Sequence, residues 1–340
     1  MFDRSVLLQV LWTSLASAGF QVLFTIAFAL VLKVTKIWNF TQPALMGVAY
    51  YAMFVSINWL GLPLWMALGA AFLVTAMLAL GIEYSAFSTL RARRSESITF
   101  FIFTLIFAQF AIYALTLVFT TEPVFLFSNM MSPIRLVGGV VVSDWDIVSI
   151  LVASALTAGL FLFLRFTRAG QFMIAVSDNA DLAEVYGISK RQSYALAMVI
   201  AALLITAAMY LFGSRLAVYP ELTLHIMIFA VVATILGGIG HIFPAAIAAV
   251  AISVLQQFSV LVMDSRWQPL IVFSILFIAI VFFPNGVRPP AKMPFVKGPQ
   301  RLHRWVERAS PEEASTREGA TPPERLTCQR CSHPRARWCA

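Results

Sequence analysis

Eight neutral polar side chains stand in or beside long apolar runs: Gln21, Asn39, Thr41, Gln42, Asn58, Gln109, Gln256 and Gln257. An amide or hydroxyl in apolar surroundings is costly unless it finds a hydrogen-bond partner. Each must therefore serve either a neighbouring helix or a polar solute that passes it. Asn39 and Gln42 are the first choice for solute contact, because Pro43 beside them interrupts helical hydrogen bonding and frees backbone groups able to meet a zwitterion. Bond-making chemistry has little to work with. His225, His241 and His303 are isolated, no paired carboxylates or Ser/His/Asp grouping occurs, and the chain reads as a non-enzyme. No GxxxxGK[ST] run is present, so the chain has no nucleotide site of its own and no cofactor. Cys328, Cys331, His333 and Cys339 crowd into one short stretch without the long loop that separates ligand pairs in structural zinc sites, so no metal is expected.

A second group of chemistry-bearing residues is the charged interruption AVSDNADLAEVYGISKRQ, Ala175 to Gln192, set between two runs of hydrocarbon. Ser177 or Asp178 suits an N-cap, and Gly187 stands where a left-handed C′ residue ends a helix. Leu182, Val185 and Tyr186 recur at i, i+3 and i+4 and give the segment one apolar face. Two turns of helix are marginal alone in water, so something must hold them. Asp178, Asp181 and Glu184 disfavour anionic lipid as that surface and leave the underside of the protein itself or a socket on a soluble partner.

The elements that position these residues follow from composition. Of 340 residues, 60% are hydrophobic and 12% charged, where soluble domains carry about a quarter charged. The expected class is an all-α polytopic membrane protein with eight or nine transmembrane helices, some broken or re-entrant. Apolar runs near 6–32, 62–82, 98–119, 146–166, 194–213, 243–262 and 267–283 approach the roughly 20 residues a span requires. Phe40–Leu60, with Pro43 and Gly47, and Leu224–Gly240, ending in GGIG, are the broken candidates. No Asp, Glu, Lys or Arg falls in the middle of a clear span, which counts against proton- or ion-coupled transport. In GGIG, the small residues suit close helix approach, continued by Ala245, Ala246, Ala248 and Ala249. Trp38, Trp59, Trp65, Trp145 and Trp267 mark span ends.

The net charge of +8 sits mostly after Asn285, where 11 Lys and Arg face 5 Asp and Glu. A basic terminal tail beside a span reads as cytoplasmic, not as a nucleic-acid site. Arg91, Arg93 and Arg94, then Arg165, Arg168, Lys190 and Arg191, join the tail on the inner side by the same rule. The domain expectation is a transmembrane body over 1–288 and a basic disordered tail over 289–340, rich in Pro and small polar residues.

Four stretches in order and spacing resemble one family. RAGQFMIAVSDNADLAEVYGISKRQSYALAM is similar to the cytoplasmic loop of permease subunits of branched-chain amino acid ABC importers. LKVTKIWNFTQPALMGVAYYAMF resembles that family's Asn-Phe-Ala-His-Gly segment, FAVVATILGGIGHIFPAAIAAVAISVLQQF its Gly-Gly-x-Gly segment, and VFFPNGV its closing Arg-Pro-x-Gly-Leu. The likeness runs over about residues 6–288, with Gln42-Pro43 in place of His-Gly and Pro244 in place of a Gly.

The resemblance implies a membrane-embedded subunit of a bacterial inner-membrane importer with its C-terminus in the cytoplasm. It implies ATP-binding subunits as the source of energy, a second permease, identical or homologous, and a periplasmic substrate-binding protein, beside membrane lipid. By that likeness Asn179–Gly187 is the coupling helix, with Asp181, Leu182, Glu184, Val185, Tyr186 and Gly187 meeting the ATPase. The solute pathway is expected at Asn39, Thr41, Gln42, Gln21, Gln109 and Gln256, and the solute is a branched-chain or related amino acid; the alternatives are another small polar solute such as an amide, urea or a carboxylate, or a secondary transporter or channel working without an ATPase.

Overall fold

In the computed structural model, residues 4–127, 134–137, 140–261 and 267–282 are described. The expectations for the tail and its cysteines lie outside them. The helices are α1 (Arg4–Thr35), α2 (Gln42–Phe54), α3 (Leu64–Ile82), α4 (Ser88–Ala92), α5 (Ser97–Phe119), α6 (Asp144–Phe166), α7 (Arg168–Asp178), α8 (Ala180–Val185), α9 (Lys190–Gly213), α10 (Leu222–Gly237), α11 (Ile242–Ser259) and α12 (Gln268–Phe282). Six helical stretches among the described residues are long and apolar enough to cross a bilayer, and α10 is a shorter apolar helix. The all-α expectation needs one correction: β1 (Ile134–Val137) and β2 (Val140–Ser143) form an antiparallel hairpin with Ile134 opposite Ser143. The run of Val and Ile there favours extended backbone.

Helix α1 is the axis of the fold. It packs against α11, α9, α6 and α10, and its second half from Phe20 onward is almost wholly buried. Lipid tails are as apolar as leucine, so close packing and hydrogen bonds, not a hydrophobic drive, bring such helices together. Small residues permit the approach: a Cβ on Gly19 would stand 3.1 Å from Ser149 Oγ, and Ser149 Oγ donates to Ala16 O at 3.2 Å. Gly237 is tighter still: its added Cβ would fall 2.3 Å from the backbone nitrogen of Ala245. Gly238 (φ 95°) and Gly240 (φ 87°) then take the left-handed backbone that turns α10 into α11. GGIG is thus both a close contact and a reversal.

Polar contacts gather at two ends of the bundle. At one end Gln9 exchanges hydrogen bonds with the backbone of Val141, and Val124 pairs with Val218 in an isolated bridge. Tyr50 Oη and Asn58 Nδ2 donate there to the carbonyls of Val124 and Leu126, and Arg215 pairs with Asp146. At the other end Thr104 Oγ1 donates to Trp38 O, Arg91 pairs with Glu83, and α7 and α8 run across the base of α9.

The sequence ends one span near residue 82, but helix continues through a π-helical turn, Glu83–Phe87, into α4. Arg91 is therefore a helical residue and not part of a loop, and it forks onto the fully buried Glu83 carboxylate at 2.5 and 3.0 Å. A second π-helical turn, Val55–Trp59, extends α2. Trp59, Trp65 and Trp267 are exposed at helix ends, whereas Trp145 turns in against Tyr210 and Trp38 against Phe28.

Candidate functional site

The charged interruption holds the end of α7, all of the short α8 and the start of α9. Thr167 caps α7 by accepting from Gly170 N at 3.0 Å, and Gly170 allows the sharp entry because a Cβ there would lie 2.3 Å from Phe163 O. α7 runs to Asp178, so Ser177 and Asp178 close this helix instead of capping the next. The cap of α8 is Asn179, whose extended backbone (φ −148°, ψ 103°) breaks the chain's helical course. Its Oδ1 accepts from Asp181 N at 3.1 Å and Leu182 N at 3.0 Å.

At the far end of α8, Gly187 (φ 81°) donates to Glu184 O at 2.9 Å and Ile188 N donates to Ala183 O at 3.0 Å, closing the helix with its last carbonyls satisfied. Ala183, at 5% exposure, is what α8 turns inward, and α8 packs on α7. Leu182, Val185 and Tyr186 are 53%, 82% and 78% exposed. The apolar face therefore points away from the protein. Lys190 Nζ lies 2.7 Å from both Asp181 Oδ1 and Glu184 Oε2, tethering α8 to the first residue of α9. The hydrogen bond and charge of Lys190 hold the Asp181 carboxyl below its ordinary range.

The pathway candidates separate into groups. Gln21 of α1 and Gln256 of α11 meet: Gln21 Nε2 donates to Gln256 Oε1 at 3.3 Å, and Ser253 Oγ donates to Gln21 Oε1. Both glutamines line a cavity of about 470 Å³, together with Phe212, Tyr219, His225 and Phe229.

Asn39, Thr41 and Gln42 form a separate, fully enclosed cluster between α1 and α2. Asn39 Oδ1 accepts from Thr41 N at 3.0 Å and Thr41 Oγ1 at 2.5 Å, while Asn39 Nδ2 donates to Met198 Sδ at 3.5 Å. Gln42 Nε2 donates to Ala27 O at 3.3 Å, and its Oε1 has no partner among the described residues. Ala27 is six residues from Gln21, about 9 Å along the helix axis at a 1.5 Å rise. The two clusters thus occupy successive levels of α1. Gln109 joins neither and sits on the outward face of α5 with exposed Ile106 and Tyr113.

Sequence reasoning missed His225 and Tyr219 as cavity residues, and the ion pairs Glu83–Arg91 and Asp146–Arg215. His225 is the one with a signal, as a polar residue in the first turn of an otherwise apolar helix. Among the described residues no cluster of His, Cys, Asp or Glu could hold a metal ion.

A family model described as "Branched-chain amino acid transport system / permease component" matches residues 10–281. The high-affinity branched-chain amino acid transport system permease protein BraD of Pseudomonas aeruginosa is 27% identical over 291 residues, covering 82% of this chain and 95% of that protein. The corresponding protein LivH of Escherichia coli is 28% identical over 142 residues, 42% of this chain and 45% of that one. Among solved structures, PsaBC from Streptococcus pneumoniae in complex with Fab aligns with 80% of this chain and 91% of that chain, at 14% identity and a TM-score of 0.48.

Proposed function

Because the chain belongs to the permease-component family of branched-chain amino acid transport systems, we propose that it is the membrane-spanning subunit of an ABC importer and forms its solute pathway. It is an integral membrane protein whose homologues are transport permeases, not enzymes. In this reading ATP is bound and hydrolysed by separate cytoplasmic subunits. A periplasmic binding protein delivers the solute, and a second permease, identical or homologous, completes the channel in the bacterial inner membrane. The solute is a branched-chain or related amino acid. With α2, α10 and α12 counted as crossings beside the six long apolar stretches, nine crossings leave the N-terminus outside and the C-terminus in the cytoplasm, in keeping with the basic residues at the α7–α8 end.

The observation that carries the proposal is the outward apolar face of α8. A short connector with no partner would turn Leu182, Val185 and Tyr186 inward, since burying each such side chain is worth about 1.5–3 kcal/mol. Here they are exposed on a helix that is capped at both ends and clamped by Lys190. That combination suits a rigid plug for a cleft on the ATPase, with Asp181 and Glu184 at its rim.

The test is Leu182→Asp and Glu184→Arg in the complete transporter, with uptake of radiolabelled leucine and co-purification of the ATPase as readouts. Both are expected to fall at least tenfold while the permease stays in the membrane, as when a hot-spot side chain worth about 2 kcal/mol is lost. Normal uptake with a normally retained ATPase rejects the docking role. Gradient-driven uptake by the chain reconstituted alone rejects the importer reading altogether.

A further inference from the structure

Of the helices long enough to cross the bilayer, α5 is among those least covered by their own chain. Phe100, Thr104, Ala108 and Ile112, each four residues from the last, make its one buried stripe, and the helix packs chiefly on α2. The opposite face is bare. Ile102, Ile106, Gln109, Tyr113 and Leu117 follow one another there at steps of four, three, four and four, and the four besides the glutamine are 49–87% exposed.

Gln109 sets this face apart from a surface made for lipid. It stands twelve residues after Ser97 and ten before Phe119, about 18 and 15 Å along the axis, and so in the middle of a hydrocarbon core about 30 Å thick. Its side chain is exposed and makes no hydrogen bond among the described residues. Acyl chains offer neither donor nor acceptor, and an amide left among them is costly. Headgroups are too far off at either end of the helix. Helix α3, equally bare at Leu73 and Met77, has no such group: its one hydroxyl, Thr75, is buried and donates to Ala71 O at 2.7 Å. Something polar must meet Gln109 in the assembled protein.

The rest of the face decides what covers it. A solute path would carry polarity onward, but Ile102 and Ile106 to one side and Leu117 to the other are hydrocarbon. The contact is therefore dry. Apolar residues at three- and four-residue steps form the seam along which two helices pack, and one polar residue in such a seam fixes its register. Between membrane helices, interhelical hydrogen bonds help to drive attachment. An amide both donates and accepts, so an amide or hydroxyl at equal depth satisfies it, the same glutamine of an identical copy included.

From this we infer that the face of α5 running from Ile102 to Leu117 is where the second permease packs, one of its helices lying along α5 with a hydrogen-bonding side chain opposite Gln109. The inference rests on the permease reading above and adds which surface meets the partner. It also takes Gln109 out of the solute-lining residues.

The experiment places the photocrosslinker p-benzoylphenylalanine at Ile106 and, for comparison, at Met77, in the complete transporter in proteoliposomes, and follows uptake of radiolabelled leucine with and without ATP in the same vesicles. Ultraviolet light is expected to give an adduct of two permeases from Ile106, identified by mass spectrometry, in a yield well above that from Met77. Gln109→Leu should lower this yield about threefold, as for loss of one hydrogen bond between membrane helices, and Gln109→Asn, which keeps the amide, should hold it. Lipid adducts alone at Ile106, adducts within one chain, or equal yields at the two positions overturn the inference and leave the importer reading standing. A yield that Gln109→Leu leaves untouched overturns it as well, since the glutamine is what distinguishes this face. Uptake that needs no ATP rejects the importer reading instead, and the adducts still show what α5 meets.

Discussion

Arg215, just beyond α9, sets its Nη1 2.6 Å from Oδ1 of Asp146 in the first turn of α6. The same carboxylate accepts from Trp12 Nε1 at 3.2 Å and from Ser143 N at 3.4 Å, so one anion fastens α1, α6 and the end of α9. The Asp146 side chain is 5% exposed and Arg215 38%, which makes the pair lopsided. Removing the cation strands a buried charge, whereas removing both charges does not. Arg215→Met is expected to cost about 1–3 kcal/mol of stability, at the lower side of buried-pair values because the arginine is part-solvated. Adding Asp146→Asn to it should recover part of the loss, as read by thermal unfolding in detergent.

At the opposite end the Arg91 guanidinium also lies over the Tyr194 ring, 4.3 Å from its centroid. Arg91→Lys keeps the charge and forfeits both the fork onto Glu83 and the planar stack. The expected penalty is about 1–2 kcal/mol by the same unfolding assay. A double-mutant cycle with Glu83→Gln should return a coupling well above that of an exposed pair.

Gly237→Ala places a methyl against the backbone of Pro244 and Ala245, where no side chain can rotate aside. Overpacking of this kind costs about 1–3 kcal/mol, and here it pries α10 from α11. Lower yield and lower Tm are expected, with loss of transport, whereas Gly69→Ala, where nothing lies within 4 Å, should leave all three unchanged.

Asn179→Ala removes the acceptor for two N–H groups at the start of α8. About 1 kcal/mol of local helix stability should go with it. Because the helix is only six residues long, hydrogen exchange in α8 is expected to rise while that of α9 does not. Asn179→Ser should restore most of the protection.

What was legible in the sequence and what was not divides by distance along the chain. Gly187 could be read as the C′ residue because the rule needs only the helix before it. The cap fell on Asn179 and not on Ser177 or Asp178 because all three residue types can cap, and only the fold decides where α7 stops. The Gln21–Gln256 contact joins residues 235 apart and Asp146–Arg215 residues 69 apart, which no local pattern announces. Glu83 was hidden differently: its partner stands eight residues on, outside ordinary i+4 pairing, and a π-helical turn intervenes. The separation of Asn39 and Gln42 from the Gln21 cavity reflects where α2 enters the bundle, packed on α3, α9, α5 and α10, and composition is silent on that.

Helix α9 touches both regions. Its first residue, Lys190, holds Asp181 and Glu184, and close to its other end Phe212 forms part of the cavity wall, edge-on to Phe20 at 5.2 Å. Its 24 residues carry neither proline nor a π-helical turn and measure about 36 Å. A tie rod without a joint has no slack to absorb movement, so whatever tilts its foot must also displace its head, and anything lodged under Phe212 would be felt as resistance at Lys190.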